Sequence, residues 1–393
     1  MWNEIKIMDI QTYLEPTLFA IDDELQTLMV QGVRVYSEVD NFPELDDTDI
    51  AIIGVPESRN AWNNAKCDDA PDIIREHFYS LHQGEFKHKI ADLGNLKLGQ
   101  TPQDTYAALA DIVGGLMDAN ILPIVLGGSQ DLTIASYNAF ANRKQIINLF
   151  ALDNRFDLGD PEHEISSRSY LSKIIVSQPN YLFTYSNAGF QTYLVDKHAV
   201  QLMKNLNFDV YRLGTLRQDV QGIEPVVRNA DMMSVDISAV RKSDAPGNSN
   251  AVVVGLFGEE ASQIMRYAGM SEKMRTVGFY EYNPSLDIDG QTAQLIGVMM
   301  WCFIEGFYQR KHEYPYKDKE KLTKFIVYVE EHDQEIVFYK SKNTNRWWME
   351  IPGHEDKTKF QSHYMLPCSY ADYEQAMRNE LPDRWVGALA RFV

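Results

Sequence analysis

Positive charge is scarce in this 393-residue chain: 37 Lys and Arg face 56 Asp and Glu, a net charge of −19. So acidic a protein is a poor partner for nucleic acid, whose binding rests on basic patches that neutralise phosphates. Cysteine is scarcer still, with Cys67, Cys302 and Cys368 far apart. No CxxC pair exists, which excludes a zinc ribbon or disulfide scaffold, and the odd count points to a reducing, cytoplasmic setting. Long apolar runs are missing too. The longest, Leu295 to Ile304, is too short for a bilayer and reads as a buried helix, so no membrane span is expected. The opening MWNEIKIMDIQTYLEP mixes acids into its apolar residues and does not read as a secretory leader. There is no internal repeat and no low-complexity tract.

What is present is ordinary globular material, 45% hydrophobic and 24% charged. Residues 1–48 read as an N-terminal extension, helical from Tyr13 to Val30 and closed by the acidic link FPELDDTD. From 49 to 310 strands and helices alternate. Strands are expected at Ile50–Val55, Lys89–Leu93, Ile121–Val125, Ile147–Asp153, Asp209–Leu213, Met232–Ile237 and Thr276–Tyr280. Helices are expected at Asp72–Leu81, Thr101–Asn120 and Gln291–Arg310. Such alternation predicts an α/β fold, a parallel sheet with helices on both faces. Residues 311–393 change pattern. Phe325–Glu330 and Glu335–Lys340 flank His332-Asp333-Gln334 as a hairpin, Asn345–Ile351 offers a third strand, and Ser369–Phe392 reads as helical. This is an appended α+β segment expected to pack on the main domain. Its Trp347-Trp348 pair is either a partner anchor or core; adjacent strand residues face opposite ways, so at least one should be buried.

Four strand ends carry polar clusters: LGGSQDLTIA (126–135), ALDNRFD (151–157), SVDIS (234–238) running on to DAPG (244–247), and EYNPSLD (281–287). Ligands of open α/β sheets bind beyond the carboxyl ends of the strands. Carboxylates placed there cost desolvation unless paired with cations or metal. One Asp alone is read as a helix cap; several strand ends in series are read as a site.

Taken in order, IIGVP, DAPDIIR, DLGN, LGGSQDLT, ALDNRFDLG, MMSVDISAVRKSDAPG and EYNPSLDIDGQTAQL resemble the arginase/ureohydrolase family, and within it the formimidoylglutamase-like branch, across residues 49–310. The resemblance implies a three-layer α/β/α fold with a central parallel sheet. It also implies a two-manganese centre that activates a bridging hydroxide against a guanidino or formimino carbon. The family's metal motifs read GGDH, DAHxD and SxDxD. Here Gln130 stands for the first His, Arg155 for the second and Ser238 for the last Asp, so three of the six expected ligands are gone. Asp153, Asp157 and Asp236 remain, and Glu281 matches the family's acid facing the substrate's cationic end.

The remnant set Gln130, Asp153, Asp157 and Asp236 offers only oxygen donors. It is expected to hold no cofactor, or at most a single divalent cation such as Mg, Ca or Mn. Arg155 is expected to lie among the three aspartates in place of the missing ion. His163 falls in the loop where the family carries a proton-shuttling His; it is either that shuttle or an exposed loop residue. Cys67 is a further candidate nucleophile, with no cue for its base.

Two functions follow. One is a ureohydrolase-fold protein, catalytically impaired, kept for binding a small cationic amidine-like ligand or a protein partner through the C-terminal extension. The alternative is an active formimidoylglutamase-like hydrolase of C–N bonds in linear amidines, working with an altered single-metal site. The family's habit of forming trimers or hexamers makes a homo-oligomer an expectation in either case.

Overall fold

The apolar runs become neighbouring strands of one sheet. The computed structural model describes residues 10–18, 28–38, 40–85, 89–352 and 363–392. Its strands are β1 (Leu14–Glu15), β2 (Val33–Val35), β3 (Ile50–Val55), β4 (Ile90–Leu96), β5 (Leu122–Gly127), β6 (Ile147–Leu152), β7 (Leu182–Phe190), β8 (Asp209–Arg212), β9 (Met232–Asp236) and β10 (Thr276–Tyr280). The order is β1-β4-β3-β5-β10-β9-β6-β7-β8, with β2 also on β4. All pairings are parallel except β1 with β4.

Side chains alternate across each strand and so feed two cores. From β3, Ile50 and Ile52 join Ile74, Phe78 and Phe303 on one face, while Ala51, Ile53 and Val55 join Leu109, Ile112 and Leu116 on the other. Each large apolar side chain buried this way contributes roughly 1.5–3 kcal/mol. The result is the expected three-layer α/β/α architecture. Helix Pro102–Asp118 begins where Thr101 and Asp104 form a reciprocal capping box behind a proline in the first turn.

A buried ion pair ties β4 to the helix Ala70–Tyr79. Arg75, fully enclosed, donates from Nε and Nη2 to Asp92 at 2.7 and 2.9 Å, from Nη1 to Asp72 at 2.8 Å and Asn95 at 2.6 Å, and to the Gly94 carbonyl at 2.9 Å. Gly54 on β3 is needed beside it, because a Cβ there would lie 1.9 Å from Asn95 Oδ1. The motifs IIGVP, DAPDIIR and DLGN are thus one packing unit.

In its described residues the N-terminal segment, expected as a helical extension over residues 1–48, holds short strands and single 3-10 turns. Residues 1–9 and 19–27, which include much of the expected helix, lie outside the described residues. Elsewhere β1 and β2 share the outer edge of β4, β2 beside Ile90–Asp92 and β1 beside Asn95–Leu96. An unpaired β4 edge would leave backbone donors unsatisfied, and these short segments cover it. β7, also unforeseen, fills the sheet between β6 and β8.

The C-terminal segment forms a second sheet of four antiparallel strands, β11 (Thr323–Val329), β12 (Gln334–Lys340), β13 (Trp347–Glu350) and β14 (Met365–Cys368), with helices Tyr370–Met377 and Asp383–Leu389. The hairpin is as expected; β14 and the break in the terminal helix are additions. Trp347 and Trp348 are both buried, on opposite faces of β13, so the pair is core and not a free anchor. The segment packs on the main domain through Arg228, whose Nη2 donates to the carbonyls of Trp347 and Cys368 at 3.2 Å each, and through Arg391, which pairs with Asp209 at 2.6 Å. Among the described residues no helix is long and apolar enough to cross a membrane.

Candidate active site

The strand order β5-β10-β9-β6 sets four of the polar strand ends side by side at the carboxyl edge. The loop after β5 brings Gln130, β10 leads into Glu281, β9 ends in Asp236, and β6 leads into Asp153 and Asp157. All five side chains are buried. The glycine pair after β5 lets that loop approach its neighbour: a Cβ on Gly128 would lie 2.1 Å from the Glu57 carbonyl oxygen.

Gln130 decides the character of the cluster. When its two carboxylate neighbours are ionised they favour the amide nitrogen on their side, since an ionised carboxylate can only accept. With the amide nitrogen turned toward the aspartates it donates to Asp153 Oδ2 at 3.3 Å and to Asp157 Oδ2 at 3.0 Å, and the oxygen accepts from Ser234 Oγ at 3.2 Å. With the oxygen turned toward them the nitrogen donates to Tyr170 Oη at 3.3 Å and Ser234 Oγ at 3.2 Å. Its backbone N–H donates to Glu281 Oε1 at 3.0 Å, and Asn64 Nδ2 donates to Glu281 Oε2 at 2.9 Å. Asn248 holds the Glu281 carbonyl at 2.7 Å, which helps fix Glu281 in the left-handed region at φ 68°.

Asp153 also accepts from the backbone N–H of Arg155 at 2.9 Å, and Asp236 from that of Ser238 at 2.7 Å. Burial raises every carboxyl here. Asp157 is pushed up to about 6. Asp153 is raised well above its ordinary value by burial and then by Asp157. Asp236 rises through burial and the Asp153 charge, and Glu281 through burial and the Asp236 charge. Such mutual elevation is what crowded carboxylates do when too little positive charge is near.

Two arginines stand at this cluster, and the sequence pointed to the wrong one. Arg155 does not insert its guanidinium among the aspartates: its Nε donates to Asn154 Oδ1 at 3.2 Å, and only its backbone reaches Asp153. The ion pair belongs to Arg168, whose Nη1 lies 3.5 Å from Asp157 Oδ1 while its guanidinium stacks 4.6 Å from the centre of the Trp62 ring. Two guanidinium groups repel, and burial together with Arg168 lowers the pKa of Arg155. Arg168 lies in the loop after His163, with no motif to flag it.

The other expected residues fall as follows. Ser238 is buried, its Oγ accepting from Asn154 Nδ2 at 3.1 Å. His163 is 81% exposed and paired with Asp160 at 3.0 Å, as the exposed-loop alternative has it. Cys67 is fully buried, and burial followed by Glu281 drives its thiol far up, which disfavours the thiolate a nucleophile needs. Among the described residues no three His, Cys, Asp or Glu side chains stand close enough to hold a metal ion. Sequence reading also missed Asn64 and Asn248, although Asn248 directly follows the DAPG motif.

A family model described as "Arginase family" matches residues 48–305. The chain belongs to the arginase family. It is 25% identical over 268 residues to the formimidoylglutamase of Macrococcus caseolyticus, covering 64% of this chain and 83% of that protein. With the Bacillus subtilis formimidoylglutamase it shares 24% over 284 residues, 65% of this chain and 86% of the relative. Among solved structures, Trypanosoma cruzi formiminoglutamase with Mn2+ superposes with a TM-score of 0.62 at 19% identity, covering 69% of this chain and all of that one. The Bacillus subtilis formimidoylglutamase structure gives 0.65 at 18%, covering 78% and 99%. These show the arginase-like fold.

Proposed function

We propose that this arginase-family chain does not assemble a two-manganese centre and acts by binding. The site would take a small cationic amidine-like ligand against Asp236 and Glu281, and residues 311–393 would serve a protein partner. The supporting observation is the Gln130 amide held within hydrogen-bond reach of both Asp153 and Asp157, to which its nitrogen donates when it faces them. Those hydrogen bonds occupy carboxylate lone pairs that metal ions would need, and Arg168 adds a permanent positive charge beside them.

A two-manganese centre does not fit this donor set. At the places matching the missing ligands, Arg155 is turned to Asn154 and Ser238 is engaged by the same asparagine. Neither supplies the nitrogen or carboxylate donor that manganese favours. A bridging hydroxide needs two Lewis acids to form and aim it, and these residues provide seats for neither pair of bonds.

A second reading has one observation in its favour. If Gln130 turned its amide oxygen toward Asp153 and Asp157, three oxygens would converge, as a single Mg, Ca or Mn ion requires. The chain would then be a hydrolase of C–N bonds in linear amidines, like the formimidoylglutamases it resembles. Incubating the full chain with manganese and formimidoylglutamate, arginine or agmatine, and measuring ammonia, formamide or urea, separates the two. Release no faster than the blank is expected. Manganese-dependent turnover would overturn the binding-only proposal.

A further inference from the structure

At the opposite end of the sheet, a cavity of about 730 Å³ lies between the main domain and the C-terminal segment. Its floor is the amino ends of the strands that carry the site: Leu122 opens β5, Ile147 opens β6, Asp231 precedes β9 and Arg275 precedes β10. Its roof is Arg346, Trp348, Met365 and Pro367 of the second sheet. The volume is that of a small-ligand pocket.

In a protein of net charge −19 this wall is basic. Arg228, Lys273, Arg275, Arg310, Lys317 and Arg346 line it, against the carboxylates of Asp231, Glu272 and Glu313. Those acids are largely spoken for. Glu272 accepts from the backbone of Lys311 and His312 at 2.8 and 2.7 Å, and Glu313 from the hydroxyls of Ser341 and Thr344. Asp231 takes the Asn148 backbone N–H at 2.8 Å and Lys273 at 3.3 Å. Glu224 pairs with Arg228 Nε at 2.8 Å and lies 3.7 Å from Arg346 Nε, but Arg228 is only 5% exposed and its Nη1 has no hydrogen-bond partner among the described residues. A buried guanidinium N–H left unpaired is costly and marks a place where a ligand acceptor belongs. Burial lowers the pKa of Arg310 to about 10, and burial followed by Arg228 lowers that of Arg346, as expected of cations crowded together away from water.

We propose that this cavity binds a small polyphosphorylated anion, a di- or triphosphate. Guanidinium forks match phosphate oxygens bidentately, and several converging forks suit a ligand with several charged oxygens close together. Tyr314 and Tyr316 flank Lys317, whose ammonium stands 5.2 and 5.4 Å from their ring centres, and give the pocket an aromatic side for any organic part of the ligand. The carboxylate site repels such an anion. It lies about 16 Å away along β9, five residues at roughly 3.3 Å each, so the two ends of the sheet take opposite charges.

The test is calorimetric titration of the full-length protein with pyrophosphate and with ATP, using citrate at equal concentration as the control anion. Lys317 and Lys144 line the cavity and are both exposed, so Lys317→Glu with Lys144→Glu alters its charge without disturbing the core. Saturable binding of pyrophosphate or ATP is expected, citrate weaker, and affinity reduced about tenfold or more in the double variant. Melting curves matching the unmodified protein would confirm that the variant is folded. Absence of saturable binding of either phosphate, citrate as tight as pyrophosphate, or an affinity unmoved by the double substitution would each overturn the assignment.

Discussion

Replacing Gln130 with leucine keeps most of the side-chain volume and removes the amide that faces Asp153 and Asp157. Each hydrogen bond to a charged partner contributes about 1.5–3 kcal/mol, and a buried carboxylate stripped of its donor loses that much or more. At about pH 8, where Asp157 carries charge, Gln130→Leu should therefore lower stability by roughly 1.5–3 kcal/mol or more. Protonation changes this. Asp157 has its pKa raised to about 6 and Asp153 is raised well above its ordinary value, both first by burial. A carboxyl raised in the folded state contributes stability that is fully present below its unfolded value and is lost as pH rises through the folded one. The unmodified protein should thus lose stability between about pH 5 and pH 8, by roughly 1.4 kcal/mol for a group moved as far as Asp157, the rest of its roughly 3 kcal/mol being lost between about pH 3 and pH 5. The leucine variant should lose more over the same range, because nothing then offsets the charges. Urea unfolding in chelator at both pH values measures this. A deficit under about 1 kcal/mol at pH 8, or an equal deficit at both pH values, would refute the role assigned to the amide.

Arg168→Met removes the only ion pair to these aspartates among the described residues. It should cost about 1–3 kcal/mol at neutral pH, with melting temperature recovered by added magnesium or calcium. Arg155→Ala should change stability by less than about 1 kcal/mol, since its guanidinium pairs with none of the three; a larger loss than for Arg168→Met would reverse the assignment. Arg75→Met leaves Asp92 buried without its cation and should destabilise by about 3–5 kcal/mol in denaturant titration. Truncation after Arg310 uncovers Arg228 and the surface beneath β13 and β14. Circular dichroism should remain native-like while light scattering rises; a monodisperse fragment would contradict the packing role of the segment.

The regular part of the fold was legible because buried parallel strands are continuous apolar runs, as in Ile50–Val55 and Thr276–Tyr280. β7 escaped notice because its buried residues include Thr184, Ser186 and Asn187, and Asn187 donates to the Arg155 carbonyl at 2.8 Å instead of marking a loop. β1 and β2 are two and three residues long, too short for any period to register. β14 contains Pro367, which reads as a break, yet the strand lies at a sheet edge where a missing donor is tolerated. In the site, the strand-end carboxylates were readable from local pattern. The choice between Arg155 and Arg168 was not, because it depends on how a loop folds back over Asp157. Nor does sequence show that Gln130 reaches two aspartates at once, since that geometry exists only when β5 and β6 are brought to their places in the sheet.

The most direct test of the central claim is the manganese content of the full-length chain after saturation with the ion and desalting, with formimidoylglutamate hydrolysis measured on the same sample. With the Gln130 amide and Arg168 holding Asp153 and Asp157, manganese should be substoichiometric and hydrolysis no faster than the blank. Two tightly held manganese ions per chain, with turnover that a chelator abolishes, would contradict it.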